Sequence, residues 1–131
     1  MKFFVENPTF IVQSKLDGKV LEGQDDGTVK MKSYDPKNSR QLWIQTNVGQ
    51  QWLNFETSLP MMASNGRNWI WKERCTENCM ILDARNQNQA LDRGWETSEG
   101  TNVITYEAHG ADNQRWNYVQ VNNNAFEPDF V

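Results

Sequence analysis

The sequence has little that would suggest a metalloprotein. It contains one histidine and two cysteines in 131 residues, and Cys75 and Cys79 are separated by only three residues. A structural zinc site takes about four ligands, and the histidine lies in a distant segment. We therefore expect no metal ion and no other cofactor. A disulfide between the cysteines is the alternative for an oxidising environment, but the lack of a recognisable secretion signal favours two reduced thiols.

An excess of positive charge and a long apolar run are also lacking. Lysine and arginine number 13 against 17 aspartate and glutamate, for a net charge of -4, which leaves no basic face for phosphates. No apolar run approaches the roughly 20 residues that span a bilayer. Polar residues and a proline at 6–8 interrupt the apolar start at 1–5. We expect a soluble protein without nucleic-acid partner or membrane insertion, either cytoplasmic or secreted without a recognisable signal peptide.

Signatures of catalysis are sparse. There is no Gly-x-Ser-x-Gly motif, and His109 has no nucleophile at a readable spacing. Asp92 with Glu96 or Glu107 would be the carboxylate pair of a glycosidase, but nothing else in the sequence supports such an enzyme. We therefore expect no catalytic residues and no enzymatic activity.

Short β-branched and aromatic runs, separated by glycine, asparagine, aspartate and proline turns, dominate the chain. This pattern without a long helical period predicts one all-β, barrel-like domain over residues 1–131. A β-sandwich is the alternative fold. The predicted strands lie at residues 10–12, 29–31, 42–44, 69–71, 80–82, 103–106 and 116–119. The tail at 122–131 departs from the pattern.

An internal repeat is the most informative feature of the sequence. A Gln-x-Trp triplet closes one segment at 41–43 and another at 114–116. Upstream of each triplet come a leucine followed by an acid, a glycine turn and a valine strand. Self-similarity at a period of about forty residues is typical of repeat architectures. The aligned positions are Leu21 with Leu91, Glu22 with Asp92, Gly27 with Gly100 and Val29 with Val103.

This order resembles that of the ricin B-type (R-type) lectins, which are β-trefoils of three repeats that bind galactose or N-acetylgalactosamine. The last repeat is the closer match. The resemblance implies a sugar pocket at Asp92, Tyr106 and Asn113, and the run at 109–114 is similar to the loop of galactose-specific pockets in that family. Because Asp92 is thereby assigned to a ligand and not to the core, we expect it to contribute little to stability.

Strand alternation adds Ile104 to this pocket, because Ile104 and Tyr106 point to the same face of their strand and Thr105 to the other. His109 follows on the next loop and would close the rim. We include Gln114 among the sugar-binding residues, although a hydrogen-bonding brace is its more frequent role. Each of these residues alone is more often structural, and their joint spacing supports the pocket. Trp43 and Trp116 are expected in the core.

The other two repeats are expected to have lost the site. In the first repeat Glu22 takes the acid position, Lys32 the aromatic position and Arg40 the asparagine position, and a flexible cation offers no flat apolar face. In the second repeat, at 47–77, residues 59–61 (Leu-Pro-Met) take the place of Leu-Asp, and no Gln-x-Trp closes it. Both repeats are predicted to be structural.

The resemblance implies a lectin whose partners are galactose- or N-acetylgalactosamine-terminated glycans on glycoproteins or glycolipids. One shallow pocket binds a sugar weakly, so high affinity for a glycosylated surface would come from multivalency. We therefore expect a homodimer, the commonest oligomer. The alternative functions are a trefoil protein-interaction module and a toxin-targeting subunit without catalysis of its own, because fold alone does not determine function.

Overall fold

The structure is a computed structural model that describes residues 8–46, 51–66, 69, 75–83 and 85–121. Three features from the sequence lie outside these ranges, in whole or in part. They are the apolar start at 1–5, the predicted strand at 69–71 beyond residue 69, and the tail at 122–131.

The described residues form short strands with turns and two 3-10 helices, which confirms the all-β prediction. The 3-10 helices are Ser39–Gln41 and Asp112–Gln114, and each shortly precedes the strand that begins at a Gln-x-Trp tryptophan. The strands are β1 (Thr9–Ser14), β2 (Val20–Gly23), β3 (Val29–Lys32), β4 (Trp43–Gln45), β5 (Trp52–Asn54), β6 (Leu82–Asp83), β7 (Asn86–Asp92), β8 (Ile104–Glu107) and β9 (Trp116–Val121).

The first and last described strands pair with each other. β1 pairs antiparallel with β9 over six positions, from Thr9 opposite Val121 to Ser14 opposite Trp116. The same strand β1 also pairs with β2 and β4, and β4 continues to β5. A second sheet has the order β6-β7-β8. The pairing of β1 with β9 brings the two ends of the described chain together.

The first and last Gln-x-Trp segments make the same hydrogen bond, each within its own repeat. The indole of Trp43 donates to the carbonyl oxygen of Leu21 at 3.1 Å, and the indole of Trp116 donates to that of Leu91 at 3.4 Å. The repeat identified from sequence is therefore also a repeat of structure. Its tryptophans are each 1% exposed or less, which confirms their predicted place in the core.

One apolar core unites residues from all parts of the described chain. Four tryptophans are its largest members, and Leu21, Leu91 and Ile81 pack with them. Large rings bury the most apolar area per residue, so they supply much of the stability of a domain this small. The buried tryptophans are Trp43, Trp52, Trp69 and Trp116.

Strands β2, β5 and β7 are not among the strands that the sequence predicts. β7 is the longest strand, yet it begins Asn-Gln-Asn-Gln and its first three residues are exposed. Side-chain hydrophobicity therefore carries no signal for this half of β7, and its pairing with β6 and β8 through backbone hydrogen bonds defines the strand.

Cys75 and Cys79 are joined in a disulfide, with their Cα atoms 6.1 Å apart. The expectation of two reduced thiols is thus corrected. That expectation depended on the missing secretion signal, whereas the structure brings the two Cα atoms within the span that a disulfide bridges.

Among the described residues, no helix has the length and apolar character to span a membrane.

Candidate functional site

The register of two paired strands places the candidate site. Asp92 at the end of β7 lies opposite Ile104 at the start of β8, and Ala90 lies opposite Tyr106. Alternation along β8 buries Thr105, while Ile104 and Tyr106 are exposed on the other face. The branched side chain of Ile104 and the ring of Tyr106 therefore stand side by side next to the Asp92 carboxylate.

The carboxylate of Asp92 is buried, with the residue 4% exposed. Its Oδ1 accepts hydrogen bonds from the Gly94 amide at 2.6 Å and the Asn113 side chain at 3.0 Å, and its Oδ2 accepts one from the Gln114 side chain at 2.9 Å. A carboxylate accepts about four hydrogen bonds, so about one position remains for a ligand. The expectation that Asp92 contributes little to stability is corrected, because three protein donors depend on it.

Gln114 lies behind the site and is fully engaged by the protein. Its Oε1 accepts from the backbone amides of His109 at 2.8 Å and Gly110 at 3.0 Å, and its Nε2 donates to Asp92 and to the Glu107 carbonyl at 2.9 Å. A glutamine amide has two donors and about two acceptor positions, and all are used. Gln114 therefore braces the loop and the carboxylate, and it has no hydrogen-bonding capacity left for a ligand.

Asn113 has one polar atom to spare. Its Nδ2 donates to Asp92, whereas its Oδ1 is buried and accepts no hydrogen bond from the described residues. A buried acceptor without a partner costs about 1–3 kcal/mol. A hydroxyl donor from a ligand in the neighbouring cavity would remove this cost.

His109 closes one side of the site. Its Nδ1 accepts a hydrogen bond from the Ala111 amide at 3.1 Å, which leaves the neutral ring with its proton on Nε2. That Nε2 lies 3.7 Å from Asp92 Oδ2, and the ring centroid is 6.3 Å from that of Tyr106 in an edge-on arrangement. The imidazole thus faces the one open side of the carboxylate.

A cavity of about 290 Å³ lies between these side chains. Five of the six residues predicted to bind sugar line it, together with Gly94 and Trp95, which the sequence pattern does not single out. The one sequence signal for Trp95 is its place three residues after Asp92, in a loop that the repeat pattern leaves unassigned. The lining residues are Asp92, Gly94, Trp95, Ile104, Tyr106, His109 and Asn113.

The carboxylate pair considered for a glycosidase is not assembled in the cavity. Neither Glu96 nor Glu107 lines it with Asp92, and the backbone of each serves a structural hydrogen bond, to Arg93 and Gln114 respectively. Within the described residues, no group of three or more histidine, cysteine, aspartate or glutamate side chains could hold a metal ion.

The first repeat keeps the brace, but charged residues take the aromatic and asparagine positions of the pocket. Gln41 donates to the Ser33 carbonyl at 3.0 Å and Asn38 donates to Glu22 at 2.7 Å, much as Gln114 bonds Glu107 and Asn113 bonds Asp92. The asparagine position holds Arg40, whose Nη2 lies 2.7 Å from Asp25 Oδ1. The hydrogen bond to Asp25 raises the pKa of Arg40 above its usual value.

Lys32 stands where the last repeat has Tyr106, because it precedes Ser33 as Tyr106 precedes Glu107 in the equivalent brace. We therefore predict that Glu22→Gln leaves sugar affinity and stoichiometry unchanged. Isothermal titration calorimetry should return one sugar site per chain for wild type and variant alike. Two or three equivalent sites in the wild type would contradict this prediction.

The second repeat is displaced from the alignment made on sequence. The Met61 amide donates to the Trp52 carbonyl at 2.9 Å, as the Leu91 amide donates to the Ile81 carbonyl at 2.9 Å. Met61 thus takes the leucine position and Met62 the position of Asp92. The thioether of Met62 is a weak acceptor, so this repeat lacks the acidic group that the last repeat has.

Several solved structures share this fold. The C-half of an earthworm R-type lectin in complex with GalNAc is 19% identical, with a TM-score of 0.69, and the match covers 87% of this chain and 99% of that chain. A designed 3-fold symmetric protein, ThreeFoil, is 22% identical, with a TM-score of 0.67 and coverage of 86% and 99%.

An enzyme is also among the structural matches. An endo-β-galactosidase from Clostridium perfringens that releases GlcNAcα1-4Gal is 14% identical, with a TM-score of 0.57, and the match covers 88% of this chain but 33% of that one. No family model matches the sequence, and no curated protein matches it significantly. The structural likeness, the internal repeat and the pairing of the first and last described strands together show that this chain has the β-trefoil fold found in R-type lectins.

Proposed function

We propose that this protein is a lectin that binds terminal galactose or N-acetylgalactosamine through its last repeat. The observation that carries the proposal is the pairing of an open carboxylate position on Asp92 with the unpartnered Oδ1 of Asn113, beside the exposed ring of Tyr106 in one cavity. Such a combination of adjacent acceptors and an aromatic surface suits a sugar with one apolar face.

Galactose fits this chemistry because its axial 4-hydroxyl lies next to its equatorial 3-hydroxyl, and C–H groups form an apolar face on one side of the ring. Asp92 would accept from one hydroxyl and Asn113 Oδ1 from its neighbour, and hydrogen bonds to a charged acceptor are the stronger kind. Tyr106 is 55% exposed, so its ring is available to cover the apolar face. Ile104 extends that apolar surface.

We expect galactose and N-acetylgalactosamine to bind, and glucose and mannose to bind about 5- to 150-fold more weakly. Glucose has an equatorial 4-hydroxyl, which would leave one buried acceptor unpaired at a cost of about 1–3 kcal/mol. Titration calorimetry or ligand-observed NMR with the four monosaccharides would measure the difference. Equal curves for galactose and glucose would rule out this specificity.

We propose binding without catalysis. Asp92 holds three protein donors and has no second carboxylate beside it among the residues that line the cavity. Glycosidases use two carboxyl groups that flank the scissile bond. Incubation with aryl galactosides and with galactose-terminated glycans is expected to release no sugar.

Tyr106→Ala is predicted to abolish detectable binding of the monosaccharide, whereas Tyr106→Trp should retain it because the larger ring still covers the apolar face. The Tyr106 side chain lies at the surface, so both variants should unfold at the wild-type temperature. Calorimetry and thermal unfolding would test the two statements separately. An alanine variant with full affinity would exclude Tyr106 from the pocket.

The protein is further proposed to act as a homodimer with one pocket per chain. Two linked pockets would bind densely glycosylated surfaces roughly 10² to 10⁴ times more tightly than free galactose, through effective concentration alone. Sedimentation and surface binding at graded ligand density would measure this gain. A monomer with the same affinity for free and clustered galactose would contradict it.

A further inference from the structure

Trp95 is the most exposed large apolar side chain in the described residues, at 62%. It lines the same cavity as Ile104 and Tyr106, which are also exposed. Half of the six exposed large apolar residues in the described part of the chain therefore lie around one cavity. A clustered apolar surface beside polar groups is typical of a binding site, whereas single exposed apolar residues are ordinary.

Trp95 and Tyr106 reach the cavity from different segments of the chain. β7 ends at Asp92 opposite Ile104, and Trp95 follows three residues beyond that end, in the loop before β8. Tyr106 lies two residues along β8 from Ile104, about 7 Å away at the usual rise of a strand. Two exposed aromatic rings on separate segments therefore line the cavity that also contains the acceptors Asp92 and Asn113.

The backbone on both sides of Trp95 is held in place. The amide of Gly94 donates to Asp92 Oδ1 at 2.6 Å, and the carbonyl of Glu96 accepts from the Arg93 guanidinium. Gly94 has φ +69°, a value that favours glycine. The loop that carries Trp95 is therefore already ordered before a ligand binds. Binding then carries a smaller entropic cost from ordering that loop.

The fold itself does not need an aromatic residue at this position. The equivalent loop of the first repeat, at 23–28, contains no aromatic residue, and its Asp25 is an exposed partner of Arg40. The first repeat thus forms its loop without an aromatic residue, whereas the loop of the last repeat has an exposed tryptophan on the cavity. This contrast assigns Trp95 to the ligand and not to the trefoil core.

We propose that Trp95 is a second stacking platform, which binds the sugar ring next to the terminal galactose-type residue. The inference rests on the proposed function. A pyranose such as galactose has one apolar face, which Tyr106 covers, so a second exposed aromatic ring on the same cavity serves a second sugar ring. The protein then contacts the last two sugar residues of a glycan, and so distinguishes between different terminal disaccharides.

The test compares methyl β-galactoside with two disaccharides, lactose and galactosyl-β1,3-N-acetylgalactosamine. Wild type is expected to bind at least one disaccharide about three- to tenfold more tightly than the methyl galactoside, in the range of an aromatic contact. Trp95→Ala should weaken binding of the disaccharides more than binding of methyl galactoside, and so lose this gain. Trp95→Phe should retain part of the gain.

Tyr34→Ala is a matched control, because Tyr34 is an exposed aromatic outside the cavity, and it should change neither affinity. Equal weakening of the galactoside and the disaccharides by Trp95→Ala would overturn the proposal, as would unchanged affinity for all three. Wild type that binds galactoside without any gain for either disaccharide would also overturn it and leave the lectin function intact. Wild type that binds none of the sugars would instead refute the proposed function.

Discussion

Asp92→Asn is expected to weaken galactose binding by about 10- to 150-fold and to lower the free energy of unfolding by about 2–3 kcal/mol. Loss of a charged acceptor costs about 1.5–3 kcal/mol, which gives the change in affinity. The new amide points an N–H at the side chain of Gln114 or at the donors Gly94 and Asn113. At least one buried donor then has no acceptor, so both functions of Asp92 fail together.

Calorimetry and chemical denaturation would measure the two effects, with binding assayed where the variant is folded. Glu22→Gln is the matched control, because it alters the equivalent acid in the repeat without a pocket, and it should leave galactose affinity unchanged. An Asp92→Asn variant that unfolds early but retains wild-type affinity would restrict Asp92 to a structural role. A variant of full stability would contradict the hydrogen-bonding network described above.

Asp17→Ala is expected to destabilise the fold by about 3–5 kcal/mol. The guanidinium of Arg93 is fully buried, and its Nη1 pairs with Asp17 Oδ1, on the turn between β1 and β2. Removing one partner of a buried pair leaves an uncompensated charge in the interior, which accounts for an effect of this size. Denaturant unfolding of variant and wild type at neutral pH would measure it.

The contribution of the Asp17–Arg93 pair to the free energy of unfolding should decrease when the pH is lowered. Burial raises the pKa of the Asp17 carboxyl, but the hydrogen bonds from the Arg93 guanidinium and the Lys19 amide, with the charges of both side chains, together outweigh it, so the pKa lies below its usual value. A lowered pKa in the folded state stabilises the fold above the unfolded pKa of about 3.9, and this stabilisation is lost as pH falls through the folded value. The difference between wild type and Asp17→Asn should therefore be constant above about pH 5 and shrink below about pH 4.

A surface pair is the control for this prediction. Lys15 and Asp112 lie 3.9 Å apart with both side chains about half exposed, so solvent screens their attraction. Asp112→Ala should change stability by less than about 1 kcal/mol. Equal destabilisation by Asp112→Ala and Asp17→Ala would mean that burial of Arg93 is not the cause of the larger effect.

The spacing of residues along the chain was enough to predict five residues of one cavity. Spacing inside a repeat is local, so the leucine–acid pair, the glycine turn and Gln-x-Trp align Asp92, Tyr106 and Asn113 from the sequence alone. Alternation along a strand is equally local, and it correctly separated Ile104 from Thr105. Tryptophan at a repeated position predicted the core for the same reason, because a large ring that recurs at the same place in each unit is typical of the shared interior.

Tertiary contacts decided the features of the site and of the fold that the sequence did not predict. The sequence already favoured a brace as the more frequent role of Gln114, but only the hydrogen bonds show that backbone groups and Asp92 use all of its donors and acceptors. Trp95 is an ordinary loop residue in the sequence, and only the folded chain places it on the cavity. Polar β7 is a strand because two neighbours pair with its backbone.

The amino-acid sequence by itself determined the repeat, the all-β class and most of the side chains in the candidate site, because each depends on spacing along a few residues. The three-dimensional structure decided which hydrogen-bonding positions on those side chains remain for a ligand. Asp92 is shared between stability and the cavity, Asn113 retains one free acceptor, and Arg93 holds the loop of Trp95 from the interior. These properties depend on groups up to 76 positions apart in the chain, and only folding brings such groups within hydrogen-bonding distance.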